Sequence, residues 1–284
     1  MAPAYQDETE GRHAHRLRAG QIELHVVEHG RGMPIVLVHG FPLDHSMWDA
    51  QIAALGEQWH VIAPDLRGFG ASQVTSGTTT MEQLADDLAA LLDALRMDEP
   101  VVVVGLSMGG YVAFQFWRKH AARLRALVLC DTRAVADTPE AARARHDLAD
   151  QVLREGTQPV ASAMLGKLFG AAVLKRDPEA VESLRRTMLG NPPEGVAAAL
   201  RGMATRRDVS ADLPRISVPT LVIVGQDDVI STVDEMRGIA KAIPGSEFVV
   251  IPRSGHMTPV ENPVAFNEAI EQFLMRVERG GPST

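Results

Sequence analysis

Polar and apolar positions alternate near the start of the chain and then gather into blocks. The segment His15-Arg-Leu-Arg-Ala-Gly-Gln-Ile-Glu-Leu-His-Val-Val-Glu28 alternates on either side of Ala19-Gly20. That period of two with a turn in its middle predicts an antiparallel hairpin over 13–29. Three compact apolar runs follow, Ile35 to Val38, Val61 to Ala63 and Val101 to Val104, each short and largely β-branched. Such runs predict strands buried on both faces of a parallel sheet.

Helical patterns separate the runs. In Met81 to Leu95 the leucines at 84, 88, 91, 92 and 95 form one stripe. Strand-like runs resume at Ala126 to Leu129, Thr220 to Val224 and Phe248 to Ile251, and a closing helix is predicted from Pro263 to about Glu278. Asn262 is its expected N-cap, with proline at the first helical position. Strand and helix in alternation predict an α/β fold, a doubly wound and mostly parallel sheet with helices on both faces.

Residues 133–213 break this rhythm with four successive helical segments. Thr138-Pro139, Asp177-Pro178 and Asn191-Pro192 read as N-caps followed by proline, and Gly156 and Gly190 as helix stops. The expected organisation is therefore a core of residues 13–132 and 214–279, a helical lid of 133–213 over the carboxyl edge of the sheet, and a flexible leader of 1–12.

Composition narrows the function. The 284 residues are 45% hydrophobic and 23% charged, enough for a sizeable core, and the net charge of -8 carries no basic block. Nucleic acid and anionic membrane, which demand a positive surface, are disfavoured as partners. The opening residues are polar and acidic, unlike a signal peptide, and no apolar stretch is long enough for a bilayer, so a cytoplasmic location is expected. The single cysteine, Cys130, ends an apolar run and is expected as a buried strand residue.

The strongest chemical signal is Val101-Val-Val-Val-Gly-Leu-Ser107-Met-Gly-Gly110, a strand that runs through Gly-x-Ser-x-Gly into a helical stretch. This context predicts a nucleophile elbow, a tight turn that holds the Ser107 hydroxyl above the sheet. Gly105 and Gly109 are expected because side chains there would collide with a neighbouring strand or helix. A serine needs a histidine to take its proton and a carboxylate to hold that histidine's tautomer. Of the histidines beyond Ser107, His120 belongs to the elbow helix and His146 to the lid. His256, in Arg253-Ser-Gly-His-Met257, follows a strand and is the expected base.

Three carboxylates compete for the third place. Asp227 and Asp228 both lie just beyond the strand Thr220 to Val224, and Asp131 ends the strand before the lid. Donors for an oxyanion are expected from the backbone N–H of Met108, at the head of the elbow helix, and of Phe41, in His39-Gly-Phe-Pro42, since Pro42 has none. His39 reads as a structural hydrogen bonder. Asp65-Leu-Arg-Gly-Phe-Gly-Ala-Ser72 reads as a scaffold loop. No phosphate loop, dinucleotide motif or His/Cys cluster at metal spacing occurs along the chain, which points to chemistry without cofactor or metal.

Taken together, His39-Gly-Phe-Pro42, the Asp65 to Ser72 segment, Gly105 to Gly109, Gly225-Gln-Asp-Asp228, Gly255-His256 and Glu261-Asn-Pro263 resemble the α/β-hydrolase superfamily over about residues 22–278. The resemblance implies an acid three residues after the strand-ending glycine, which selects Asp228. It also implies a serine hydrolase, because dehalogenases and epoxide hydrolases of this fold use aspartate and dienelactone hydrolases cysteine. Carbon-carbon bond hydrolases commonly have asparagine before the serine and tryptophan after the histidine, where this chain has Leu106 and Met257. Enol-lactonases, aryl esterases and cofactor-free perhydrolases are similar to it in equal measure. The expected activity is hydrolysis of a carboxylic ester or lactone, with a medium-sized apolar small molecule as substrate. Carbon-carbon hydrolysis, perhydrolysis and a triad-bearing small-molecule receptor are the alternatives.

Overall fold

The structure is a computed structural model that describes residues 11–171 and 173–280. The expected hairpin is present: β1 (Arg12–Ala19) and β2 (Ile22–His29) pair antiparallel. Arg12 of the expected leader already belongs to β1, and residues 1–10 lie outside the described residues.

The apolar runs become β3 (Pro34–Val38), β4 (His60–Pro64), β5 (Val101–Leu106), β6 (Leu124–Cys130), β7 (Thr220–Gly225) and β8 (Glu247–Ile251). The sheet runs in the order β1-β2-β4-β3-β5-β6-β7-β8. Strands β3 to β8 are parallel, and β1 and β2 continue the sheet antiparallel beyond β4. Order and direction make this the doubly wound, mostly parallel α/β sheet.

Burial on both faces explains the unbroken apolar runs. Val36, Val38, Val101, Val103, Leu127 and Val222 face one core with helices α2 (Met81–Ala94), α3 (Met108–His120) and α9 (Val233–Ala242). The alternate residues Ile35, Leu37, Val102, Val104, Val128 and Leu221 face the other, with α1 (Asp49–Leu55) and α11 (Pro263–Glu278). The side-chain period of two sorts one apolar string into two cores. Cys130 is buried there as expected, and burial pushes its thiol upward, away from the reactive thiolate.

Five helices, not four, fill the interval between β6 and β7: α4 (Pro139–Glu155), α5 (Gln158–Leu168), α6 (Val173–Arg176), α7 (Pro178–Gly190) and α8 (Pro193–Ala204). The additional α6 is one turn long, too short to show a periodic stripe. Thr138 and Asp177 cap their helices as expected, accepting from Ala141 N and Ala180 N at 3.2 and 3.0 Å. Asn191 does not: Pro192 precedes α8, and the Asn191 side chain is used elsewhere. Asn262 caps α11 through Ala265 N, and α10 (Thr258–Glu261) leads into it. Among the described residues no helix is long and apolar enough to cross a membrane.

Phe266 on α11 is fully buried, its ring 6.0 Å from that of Trp48. We expect Phe266→Ala to cost about 3–5 kcal/mol, through lost transfer energy and a residual cavity. Equilibrium chemical denaturation measures this, and a loss below about 1 kcal/mol would contradict the packing described.

Candidate active site

The turn after β5 is tight because nothing but hydrogen fits inside it. A Cβ on Gly105 would lie 2.3 Å from Gly109 O, and one on Gly109 would lie 2.1 Å from Val38 O. Ser107 sits between them with φ 55° and ψ −112°, a strained conformation that costs on the order of 1–3 kcal/mol. Its backbone is pinned on both sides: Ser107 N donates to Cys130 O at 2.9 Å, and Thr132 Oγ1 donates to Ser107 O at 2.7 Å.

The loop after β3 closes on this turn. A Cβ on Gly40 would lie 2.9 Å from Leu106 Cδ2 and 3.5 Å from Ser107 Cβ, so the residue before Phe41 passes close to the serine. The Phe41-Pro42 peptide is cis. Among the described residues, neither Phe41 N–H nor Met108 N–H donates to a protein acceptor. His39 is the structural residue expected of it. Its Nε2 accepts from Leu66 N at 2.9 Å, which fixes the tautomer so that Nδ1–H donates to Gly40 O at 2.9 Å. Burial lowers its pKa, consistent with a neutral ring.

His256 and Asp228, which follow the neighbouring strands β8 and β7, meet each other. His256 Nδ1 is 2.8 Å from Asp228 Oδ2, and both side chains are buried. Asp228 Oδ1 accepts from Ile230 N at 2.7 Å and Ser231 N at 3.1 Å. Three nitrogens thus converge on one carboxylate, two backbone amides at Oδ1 and the His256 ring at Oδ2. Its neighbour Asp227 is exposed. His120 pairs with Asp86 on the surface at 2.8 Å, and His146 is exposed on α4.

Asp131 is also in the site. Its carboxylate lies with that of Asp228 and the imidazole of His256 in a group with one donor atom from each residue, all within 4.8 Å of one another. Gly225 N and Thr258 Oγ1 donate to it, at 2.8 and 2.5 Å. Burial, and then the charge of Asp228, push the Asp131 carboxyl well above the usual carboxylate range. Two buried carboxylates side by side disfavour double ionisation, which is the second cause of that rise.

Two residues tie the inserted helices to this site, and neither role was visible in the sequence. Glu261 Oε1 accepts from Gly255 N at 2.8 Å and Met257 N at 3.1 Å, while Oε2 accepts from Gly170 N at 2.8 Å. Burial raises the Glu261 carboxyl, and these amides offset part of that rise. His256 N donates in turn to Leu168 O at 2.9 Å. On the other side, Asn191 Oδ1 accepts from Gly70 N at 2.7 Å, and Nδ2 donates to Pro42 O at 2.9 Å. The Asn-Pro signature is local, whereas these partners lie 121 and 149 residues away. For Glu261, its place five residues past His256 was the available signal.

Residues 33–263 match the model of the alpha/beta hydrolase fold. This chain belongs to the α/β-hydrolase family. A thermophilic esterase from Thermogutta terrifontis has a similar structure, with a TM-score of 0.90 and 49% identity over 94% of this chain and 98% of its own. The 3-oxoadipate enol-lactonase 2 of Acinetobacter baylyi is 33% identical over 81% of this chain and 84% of its own. A 2-hydroxy-6-oxo-6-(2'-aminophenyl)hexa-2,4-dienoic acid hydrolase of Metapseudomonas resinovorans is 27% identical over 92% and 90%. The comparisons agree with the fold and class expected of the motifs: this α/β-hydrolase has hydrolases as its relatives.

Replacing Asn191 should matter more than replacing a true helix cap. We expect Asn191→Ala to leave Gly70 N–H and Pro42 C=O without their partner, costing about 1–3 kcal/mol for each group left unsatisfied. Thr138→Ala should cost about 1 kcal/mol. Denaturation curves compare the two, and equal losses would contradict the bridging role of Asn191.

Proposed function

We propose that this α/β-hydrolase cleaves a carboxylic ester or lactone through an acyl-enzyme on Ser107. The observation that carries the reading is the buried hydrogen bond between His256 Nδ1 and Asp228 Oδ2. With Nδ1 occupied, Nε2 is the nitrogen left to take a proton from Ser107 Oγ. The esterase and enol-lactonase relatives support the same chemistry.

In this reaction Ser107 Oγ attacks the carbonyl carbon while His256 Nε2 accepts its proton and Asp228 steadies the imidazolium. The carbonyl oxygen becomes an oxyanion that accepts from Phe41 N–H and Met108 N–H, donors fixed in place before the charge develops. Collapse of the intermediate breaks the bond to the alkoxy oxygen, which leaves with the proton from His256. Water then attacks the acyl carbon, its proton passes to His256, and the acid departs as Ser107 regains its hydrogen. The expected lid, residues 133–213, sets selectivity from above. Phe41, Met108 and Met257 are buried around the chemistry and favour a medium-sized apolar acyl group.

Chromogenic acyl esters test the reading. We expect sustained multiple turnover by the wild type and its loss in Ser107→Ala. A single covalent event without turnover would favour a receptor instead. Asp228→Asn should lower kcat by about 10⁴-fold, the scale for a triad that loses its orienting carboxylate. Asp131→Asn keeps the shape of a side chain bonded to Gly225 N and Thr258 Oγ1 and not to the imidazole, so kcat should stay within about tenfold. Equal losses at Asp131 and Asp228 would contradict the assignment of the acid.

A further inference from the structure

Linear spacing gave no metal motif, but folding gathers one set of donors outside the proposed hydrolytic centre. His25 lies on β2, His45 begins the short 3-10 turn His45–Trp48, and Asp65 directly follows β4. His25 Nδ1 is 2.9 Å from Asp65 Oδ2, and His45 Nδ1 is 2.6 Å from Asp65 Oδ1. The donor atoms of all three residues lie within 4.8 Å of one another. The two rings are tilted by 50° with centroids 5.0 Å apart, and both turn Nδ1 to the Asp65 carboxylate, each to its own oxygen.

We propose that His25, His45 and Asp65 form a binding site for a divalent transition-metal ion of the zinc type, separate from the hydrolytic residues. Two imidazoles and one carboxylate are the ligand set that suits such ions, with an open position left for water. Zinc holds nitrogen and oxygen ligands at about 2.0–2.2 Å, which sets neighbouring donors about 3.3 Å apart in a tetrahedron. The pairs need to open by about half an ångström to admit the ion, with the Nδ1 hydrogens moving to Nε2 or to solvent.

Placement favours entry and orientation. The Asp65 side chain is 1% exposed, while His25 and His45 are 17% and 19% exposed, so an ion reaches the rings from solvent and meets an anchored carboxylate. The carboxylate is held by His45 N and Ala71 N, both at 2.9 Å, and these bonds survive when the imidazole hydrogens leave. Backbone amides hold the first ligand as outer-shell partners do in metal sites generally. Leu66, next to Asp65, donates its N–H to His39, so a bound ion would brace the loop that carries Gly40 and Phe41.

Chelator-treated wild-type protein titrated with Co²⁺ at about pH 7.5 tests the site. We expect one equivalent to bind with a visible absorption band of four-coordinate cobalt, and Zn²⁺ to displace it. His25→Gln and His45→Gln should each weaken binding at least about tenfold, while His146→Gln should leave it unchanged. Thermal unfolding establishes that each variant is folded. If a variant fails to fold, anomalous scattering from wild-type crystals soaked in Zn²⁺ should place the ion between His25, His45 and Asp65. Binding well below one equivalent, affinity retained in both variants, or an ion found on His256 would overturn the proposal.

Discussion

A carboxyl group taken out of water needs hydrogen-bond partners in place of the water it lost. Asp228 meets that requirement with two amides from its own loop and the ring of His256. Its neighbour Asp131 meets a different one, because burial and the adjacent charge favour its neutral form. Asp131 ends β6, Asp228 follows β7, and His256 follows β8, three strands adjacent in the sheet. The strand order is therefore what assembles the site. Ser107 joins it from β5, through the bond of its amide to Cys130 O at the end of β6.

Local patterns in the sequence carried the elements and pointed to the residues of the proposed chemistry. Glycines at 105 and 109 are legible because the collisions they avoid follow from a tight strand-to-helix bend whatever the rest of the chain does. Caps at Thr138, Asp177 and Asn262 are legible because a cap reaches two or three residues ahead. Asn191 has the same local signature and a different role, since its partners are brought to it by tertiary packing. The grouping of His25 and His45 around Asp65 depends in the same way on three elements meeting across the sheet edge. Asp131 could be placed at a strand end, but its state depends on which charge stands beside it.

The inserted helices rest on both sides of the proposed reaction centre. Leu168 and Gly170 bind the segment that carries His256, partly through Glu261, while Asn191 binds the loop that carries Phe41. The proposed base and oxyanion donor are thus each buttressed from the insertion, and a shift of its helices would be felt at both. Sites held by such supporting hydrogen bonds keep their reacting groups within the narrow tolerance that catalysis needs.

In the proposed reaction Ser107, His256 and Asp228 act together beneath the amides of Phe41 and Met108. A crystal structure of the protein after reaction with an acyl-mimicking phosphonate ester tests it most directly. The expected result is phosphorus bonded to Ser107 Oγ and a phosphonyl oxygen about 2.7–3.1 Å from both amides, with His256 Nε2 facing the serine oxygen. An adduct on another residue, or a phosphonyl oxygen turned away from those amides, would contradict it.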